Sequence, residues 1–247
     1  MEYFTAKELK SSKRNVAQKE MGGYEGRNLK DDFAVKLTSK YCEKLFPGQT
    51  YDLKVLDYGP ASGVFQVQLA NRGFKELYGL DIDDYRDADK KHLFKDFKTA
   101  DLSYDKIGWP DNFFDVITAW CILPHLENPH QAIRETVRIL KPGGLFILSI
   151  PYLGSRASVN YFLKHKDFAR YHPKKNHIFA FTPGIFQSVV LRHFNLVKQE
   201  FLIDPRSLQG PKGKIRQWIL EIGRSNPRIK DFFENLWGYN QIWILRK

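Results

Sequence analysis

The chain has 247 residues, of which 43% are hydrophobic, enough for one large domain with a substantial core. Its 39 Lys and Arg against 28 Asp and Glu give a net charge of +11, which favours anionic partners. The polar N-terminus is not typical of a signal peptide, and no run of about 18 apolar residues predicts a membrane span. Two cysteines far apart in sequence, Cys42 and Cys121, predict neither a disulfide framework nor a metal site. We expect a protein of the reducing cytoplasm.

Two segments precede the predicted core. Residues 1–28 are rich in Lys, Gly and polar residues without a sustained period, which is typical of a mobile arm able to order over a ligand. Residues 31–46 predict an amphipathic helix. Its apolar residues recur every four positions, at Phe33, Leu37, Tyr41 and Leu45. We therefore predict an arm and helix over 1–50 that cover the functional site, and one domain over 51–247.

From residue 53 onwards, strand and helix patterns alternate. Apolar runs between turn residues predict five strands, over 53–59, 76–82, 97–102, 113–121 and 144–150. Helical spacing predicts helices after the first and fourth strands, over 63–73 and 130–140, and the KPGG of residues 141–144 separates the second helix from the fifth strand. This alternation predicts an α/β fold with a parallel sheet and helices on both faces.

The alternation ends after Pro151. Residues 151–181 are aromatic and basic and show no clean period, whereas 182–194 predict a helix capped by Thr182. Residues 195–203 and 241–247 predict two closing strands, which makes the sheet seven-stranded. Two short helices between these strands have apolar residues at helical spacing, including Trp218, Phe232, Phe233 and Trp237.

A glycine-rich turn follows the first predicted strand in "VLDYGPASGVF", residues 55–65. Such a turn brings a ligand close to the main chain at a helix N-terminus. The dinucleotide fingerprint G-x-G-x-x-G would need a small residue where the chain has Val64. The spacing present is D-x-G-x-A-x-G, from Asp57 to Gly63.

This spacing and three downstream motifs resemble those of the class I S-adenosylmethionine-dependent methyltransferases, over roughly residues 53–150. The motifs are "LYGLDID", "ADLSY" and the pair "NFFDVITAWCILPHL" and "RILKPGGLFILSIP". The resemblance implies a Rossmann-like fold with a mostly parallel seven-stranded sheet whose last strand is antiparallel. A departure is Ala61, where the family often has glycine; we expect the methyl group to be tolerated at negative φ.

The resemblance also implies which residues bind the cofactor. Asp57, Tyr58, Gly59, Ala61 and Gly63 would meet its methionine part, which carries no phosphate and needs no Lys or Arg in the turn. Asp81 with Ile82 would bind the ribose hydroxyls, and Asp101 with Leu102 the adenine. Trp120 or Cys121 would cover the adenine or ribose face. The cofactor would be S-adenosylmethionine, and the product S-adenosylhomocysteine.

Methyl transfer needs a general base only where the acceptor must lose a proton. Two histidines are candidates for this role: His125, just after the fourth strand, and His177, in a segment expected to fold over the pocket. Each could equally be an ordinary loop or core histidine. Both histidines remain candidates on the sequence alone.

The variable segments at about 151–181 and 205–240 would select the acceptor. They are similar to those of methyltransferases that act on surface polysaccharides, which implies O-methylation of a sugar that is phosphorylated, nucleotide-linked or lipid-linked. The alternative is an RNA methyltransferase, favoured by the basic charge and the aromatic residues. A further open alternative is that the two C-terminal helices dock on the inner membrane surface or a partner subunit rather than packing on the sheet.

Overall fold

Strands and helices alternate along most of the chain in this computed structural model, which describes residues 28–171, 176–203, 208–223 and 226–247. The strands are β1 Lys54–Tyr58, β2 Glu76–Asp81, β3 Asp96–Thr99, β4 Phe114–Trp120, β5 Leu140–Pro151, β6 Asn195–Ile203 and β7 Gly238–Arg246. The helices are α1 Asn28–Leu45, α2 Val64–Asn71, α3 Pro129–Ile139, α4 Arg156–His165, α5 Pro183–Phe186 continued by a π-helical turn Gln187–Leu191, α6 Gly210–Gly223 and α7 Pro227–Trp237. Short 3₁₀ turns cover Thr50–Asp52, Ala88–Leu93 and Leu123–His125.

The seven strands form one sheet in the order β3-β2-β1-β4-β5-β7-β6. Strands β1 to β5 pair in parallel, and β7 pairs antiparallel with both β5 and β6. The predicted mostly parallel sheet with an antiparallel last strand is therefore confirmed. The strand order reverses between β1 and β4, and ligands of open α/β sheets bind beyond the carboxyl ends of the strands at such a point.

Each face of the sheet carries its own apolar core because successive side chains of a strand point to opposite faces. On β1, Leu56 and Tyr58 lie in one core with α3 and α5, while Val55 lies in the other with α1 and α2. The predicted amphipathic helix is thus α1, and it packs beside α2. Its predicted role in covering the site stays a prediction. The predicted arm over 1–28 lies outside the described residues except for residue 28, which begins α1. None of the described helices is long and apolar enough to span a membrane.

Three local predictions were wrong. Helix α4 has no counterpart in the predicted elements because its apolar spacing, at Val159, Phe162 and Leu163, is short and none of its residues is buried; Ser155 caps it. Strand β5 begins at Leu140, which pairs with Phe114 before a register shift, so the KPGG segment is part of the strand. The helix predicted over 182–194 ends at Leu191 and finishes in a π-helical turn.

Arg138 links α3 to the loop before β4. Its guanidinium donates to the carbonyls of Ile107 and Trp109 and to the Glu135 carboxylate, at 2.7, 2.9 and 2.7 Å. The same carboxylate accepts from the Ile107 amide at 2.7 Å.

Replacing Arg138 with Ala should lower the free energy of unfolding by about 2–4 kcal/mol, because a buried carboxylate and two carbonyls lose their donor. Urea denaturation measures this change. Arg134→Ala is the control on the same helix, since its exposed side chain donates to Gln131 at the surface, and it should cost less than about 0.5 kcal/mol. Equal losses in the two variants would contradict the structural role of Arg138.

Candidate active site

The turn between β1 and α2 is built from residues with left-handed backbone. φ is 71° at Gly59, 49° at Ala61 and 88° at Gly63. The prediction of a negative φ at Ala61 is therefore wrong, and a non-glycine residue there costs about 1–2 kcal/mol. The Ala61 amide donates to Oδ2 of Asp81 at 3.3 Å, a hydrogen bond that helps to hold this conformation.

Gly59 brings the turn against the loop that follows β4. A Cβ atom at this position would collide with Cδ1 of Ile122. Gly63 differs, since a Cβ there would meet only the Phe94 ring at 3.4 Å, an ordinary contact, so its positive φ is what calls for glycine. The turn is thus a cradle bounded by two left-handed glycines at the switch point of the sheet.

Asp81 ends β2 beside this turn. Its carboxylate accepts from the amides of Ile82 and Ala61, at 2.8 and 3.3 Å. Desolvation by burial raises the pKa of Asp81 to about 6, against the lowering effect of these two hydrogen bonds. A carboxylate has about four lone-pair positions, so two remain that could accept from vicinal hydroxyls.

The loop after β3 is held by its own carboxylates. Oδ1 of Asp101 accepts from the Ser103 amide at 2.9 Å, and the Asp101 amide donates to Asp105 at 2.8 Å. The Leu102 side chain is buried in the core. Adenine binding by Asp101 and Leu102 stays a prediction.

Two predicted cofactor residues of β1 have side chains inside the protein. Asp57 is buried, and its carboxylate accepts from Nε2 of Gln66 at 2.8 Å and from the Thr118 hydroxyl at 2.6 Å. The Tyr58 hydroxyl lies 3.1 Å from Oγ1 of Thr136, and burial raises the pKa of this phenol. Only the main-chain atoms of Tyr58 could therefore make the predicted contact with the cofactor. Sequence reasoning missed Gln66 and Thr118, although a threonine within the apolar stretch of β4 was a signal.

The structure brings the two predicted histidines together. The ring centroids of His125 and His177 lie 4.5 Å apart at 60°. Their segments are joined because the amides of Ile178 and Phe179 both donate to the Pro124 carbonyl, at 2.8 and 3.0 Å. Nδ1 of His125 lies 2.7 Å from the carbonyl oxygen of Asn176. A carbonyl only accepts, so Nδ1 carries the proton and the lone pair of the neutral ring is on Nε2.

A thiol and a guanidinium adjoin the histidine pair. Sγ of Cys121 lies 3.8 Å from Nε2 of His177 and 3.6 Å from Nη2 of Arg170. The Arg170 guanidinium also bonds Asn240 and the Tyr239 carbonyl, and it stacks 4.2 Å above the Tyr239 ring. No carboxylate of the described residues contacts it. Arg170 gave no sequence signal because its segment lacks a period.

Trp120 lies on the α2 face of the sheet. Its ring packs edge to face against Phe65, with centroids 6.0 Å apart. Nε1 of Trp120 and Oε1 of Gln66 are buried without a hydrogen-bond partner in the described part of the chain. The Nε1–H group of Trp120 is a donor, which the carboxylate of an amino acid needs. Oε1 of Gln66 is an acceptor, which the ammonium group of an amino acid needs. The predicted contact of Trp120 or Cys121 with the adenine or ribose stays a prediction.

The sheet order, the cradle at Gly59 and the acid after β2 define a Rossmann-like domain of the nucleoside-binding class. No Lys or Arg occupies the turn from Gly59 to Gly63, which suits a ligand part that carries no phosphate. The main chain of the turn, the Asp81 carboxylate and the two buried orphan atoms together fit S-adenosylmethionine.

Comparisons with known proteins agree with this class. A family model described as a methyltransferase domain matches residues 56–148. A ubiquinone/menaquinone biosynthesis C-methyltransferase of Rickettsia akari is 26% identical over 68% of the chain and 67% of its own length. A ubiquinone biosynthesis O-methyltransferase of Neisseria meningitidis is 23% identical over 50% of the chain and 55% of its own length.

A solved chain from a complex between the Haloferax volcanii Trm112 methyltransferase activator and a methyltransferase superimposes with a TM-score of 0.57. It is 16% identical and covers 94% of this chain and 95% of its own, which shows the shared fold. The family match and the methyltransferase relatives support the class I S-adenosylmethionine-dependent methyltransferase superfamily for this chain, as its motifs indicated. It is an enzyme that uses S-adenosylmethionine. The relatives named here act in quinone biosynthesis, and the likeness to sugar methyltransferases stays a prediction.

Proposed function

We propose that the enzyme methylates a hydroxyl oxygen of a small-molecule acceptor, a sugar or related metabolite, with His125 as the general base. The observation that carries the proposal is the hydrogen bond from Nδ1 of His125 to the Asn176 carbonyl, which orients the ring and puts its basic lone pair on Nε2. His125 lies at the carboxyl end of β4, next to the loop that touches the glycine turn. A base at this point suits an acceptor that must lose a proton.

The residues around the turn would hold the cofactor. Asp81 would accept from the ribose hydroxyls, while Asp101 and the Leu102 amide would bind the adenine. The main chain from Gly59 to Gly63, braced by the Asp57 and Gln66 pair, would contact the methionine part. When bound, S-adenosylmethionine supplies a methyl group on a positively charged sulfur.

The two histidines have different roles in this proposal. As the acceptor oxygen takes the methyl group, its proton passes to Nε2 of His125. His177 is only 8% exposed and contacts the thiol that also contacts the Arg170 guanidinium. We therefore assign the base to His125 and a positioning role to His177.

Arg170 supports an acceptor that carries an anionic group. The guanidinium is half-buried beside the histidine pair, and its described partners are a carbonyl, an amide oxygen, a thiol and an aromatic ring. A half-buried guanidinium that no carboxylate of the described residues contacts is suited to bind a phosphate or carboxylate of a ligand. The sugar of the proposal is therefore phosphorylated, nucleotide-linked or lipid-linked through a phosphate.

A methyl-transfer screen tests both parts of the proposal. Labelled S-adenosylmethionine is offered with free sugars, sugar phosphates, nucleotide-linked sugars, quinols and RNA, and the labelled atom is located in the product. We expect an O-methylated, phosphate-bearing sugar. Label on carbon, on a quinol, or on RNA with binding that falls steeply with salt would overturn the proposed acceptor.

Arg170→Gln should then lower kcat/KM for the phosphate-bearing acceptor by about 10- to 100-fold, because a charge-assisted pair is lost. The same variant should leave the affinity for S-adenosylhomocysteine unchanged. Arg192→Gln is the control, since Arg192 is exposed just beyond α5. An equal loss in both variants would contradict an anion site at Arg170.

A further inference from the structure

Three neighbouring helices expose large apolar side chains. Helix α7 contacts both α4 and α6. Trp218 and Phe232 are each 62% exposed, and Leu163 is 61% exposed. We call the set the helical apolar surface: Val159, Tyr161, Phe162 and Leu163 of α4, Ile215, Trp218 and Ile222 of α6, and Phe232 of α7. An exposed apolar cluster of this kind marks an interaction site.

The exposed side chains of α6 follow helical spacing. Ile215, Trp218 and Ile222 stand three and four residues apart, which puts them on one side of the helix. The other side faces α7, where the Arg216 guanidinium lies 5.6 Å from the centre of the Trp237 ring. Trp218 and Phe232 are too exposed to pack on the sheet, so that alternative is wrong for these two residues. Phe233 and Trp237 stack on each other, with ring centroids 4.8 Å apart.

Cations border this surface. Lys164 and Lys166 are exposed at the end of α4, Lys212 and Lys214 in the first turns of α6, and Arg228 in α7. The whole chain carries a net charge of +11. A solvent-facing stripe with a tryptophan, bordered by lysines, is typical of helices that lie in the headgroup region of an acidic bilayer.

We propose that the helical apolar surface docks on the surface of an anionic lipid bilayer. The apolar side chains would enter the boundary between headgroups and acyl chains, while the bordering cations meet the lipid phosphates. Lys and Arg side chains are attracted to an anionic lipid surface, and salt screens this attraction. The docking is independent of the proposed acceptor.

Vesicle flotation of the full chain tests the proposal. With vesicles of phosphatidylcholine and phosphatidylglycerol, we expect the protein to float and its tryptophan emission to shift to the blue. With phosphatidylcholine alone, or in high salt, it should stay in the soluble fraction. A chain that does not float with acidic vesicles, or floats equally with neutral ones, would overturn the proposal.

Matched variants locate the contact. Trp218→Ser combined with Ile222→Ser should reduce partitioning into acidic vesicles at least tenfold. Leu196→Ser, at a side chain 52% exposed on β6, should leave it unchanged. An unchanged melting temperature confirms that the variants are folded. Equal partitioning of both variants would overturn the proposal. Sedimentation velocity without lipid gives a second test: a dimer that the double substitution abolishes would also overturn the proposal, because a second copy of the chain would then cover the surface.

Discussion

Replacing Asp81 with Asn should raise the dissociation constant for S-adenosylhomocysteine by about 10²–10³-fold, the largest loss of cofactor affinity expected for a single side chain. The carboxylate already accepts from the amides of Ile82 and Ala61 and keeps two positions for the ribose hydroxyls. An amide has one oxygen, so Asn cannot serve both amides and both hydroxyls. Two hydrogen bonds to a charged group, each contributing about 1.5–3 kcal/mol, account for this change. Calorimetry measures it.

Asp83→Asn removes the same charge two residues later in the same loop, and it should change the affinity less than about threefold. Acidification provides a second control, because burial raises the pKa of Asp81 to about 6. Affinity in the wild type should be constant above about pH 7 and fall below pH 6 as the carboxylate takes up a proton. The folded state binds this proton more tightly than the unfolded chain does. As the pH falls over the same range, the contribution of Asp81 to the free energy of unfolding should therefore increase while the affinity for the cofactor decreases. Parallel loss of affinity in both Asn variants would contradict the ribose contact.

Replacing His125 with Ala should lower kcat about 10²–10⁴-fold with the acceptor found in the screen, because the hydroxyl proton loses its base. Affinity for S-adenosylhomocysteine should stay within about threefold of the wild type, since no cofactor contact is removed. The wild-type rate should fall as the pH enters the range where imidazoles take up a proton. This acid limb should be absent from the variant.

His177→Asn is the matched control for that experiment. Its ring packs 4.5 Å from His125 and contacts Cys121, so it positions the neighbouring ring. Its loss should lower kcat less than about tenfold and leave the acid limb in place. A variant of His177 that loses the limb while His125→Ala keeps it would reverse the two roles.

The sequence predicted an element correctly wherever burial or a turn conformation depends on residues close together in the chain. Apolar runs such as residues 144–150 predict strands because both faces of a central strand are buried, and Gly59 and Gly63 stand where the backbone is left-handed. Helix α4 was missed because none of its residues is buried and its apolar spacing, at Val159, Phe162 and Leu163, is short. The φ of Ala61 was mispredicted because a contact 20 residues away, with Asp81, holds it.

The candidate site was predictable only in part. Asp81 lies at the end of β2 and His125 lies shortly after β4. Both positions can be read from the order of the predicted elements, and ligands of α/β sheets bind at these strand ends. The pairing of His125 with His177 depends on hydrogen bonds to the Pro124 carbonyl across more than fifty residues, and no periodicity carries that information. Arg170 reaches the same place from a segment without pattern.

The shared carbonyl of Pro124 has a consequence for how acceptor choice can change. One peptide oxygen holds the main chain at both Ile178 and Phe179, and Asn176 next to them orients the His125 ring. In the proposed mechanism, the variable region therefore helps to orient the base as well as to recognise the acceptor. Transplanting a foreign region in place of 151–181 would swap recognition and proton removal as one unit, and a graft that omits Asn176 would leave His125 without its anchor.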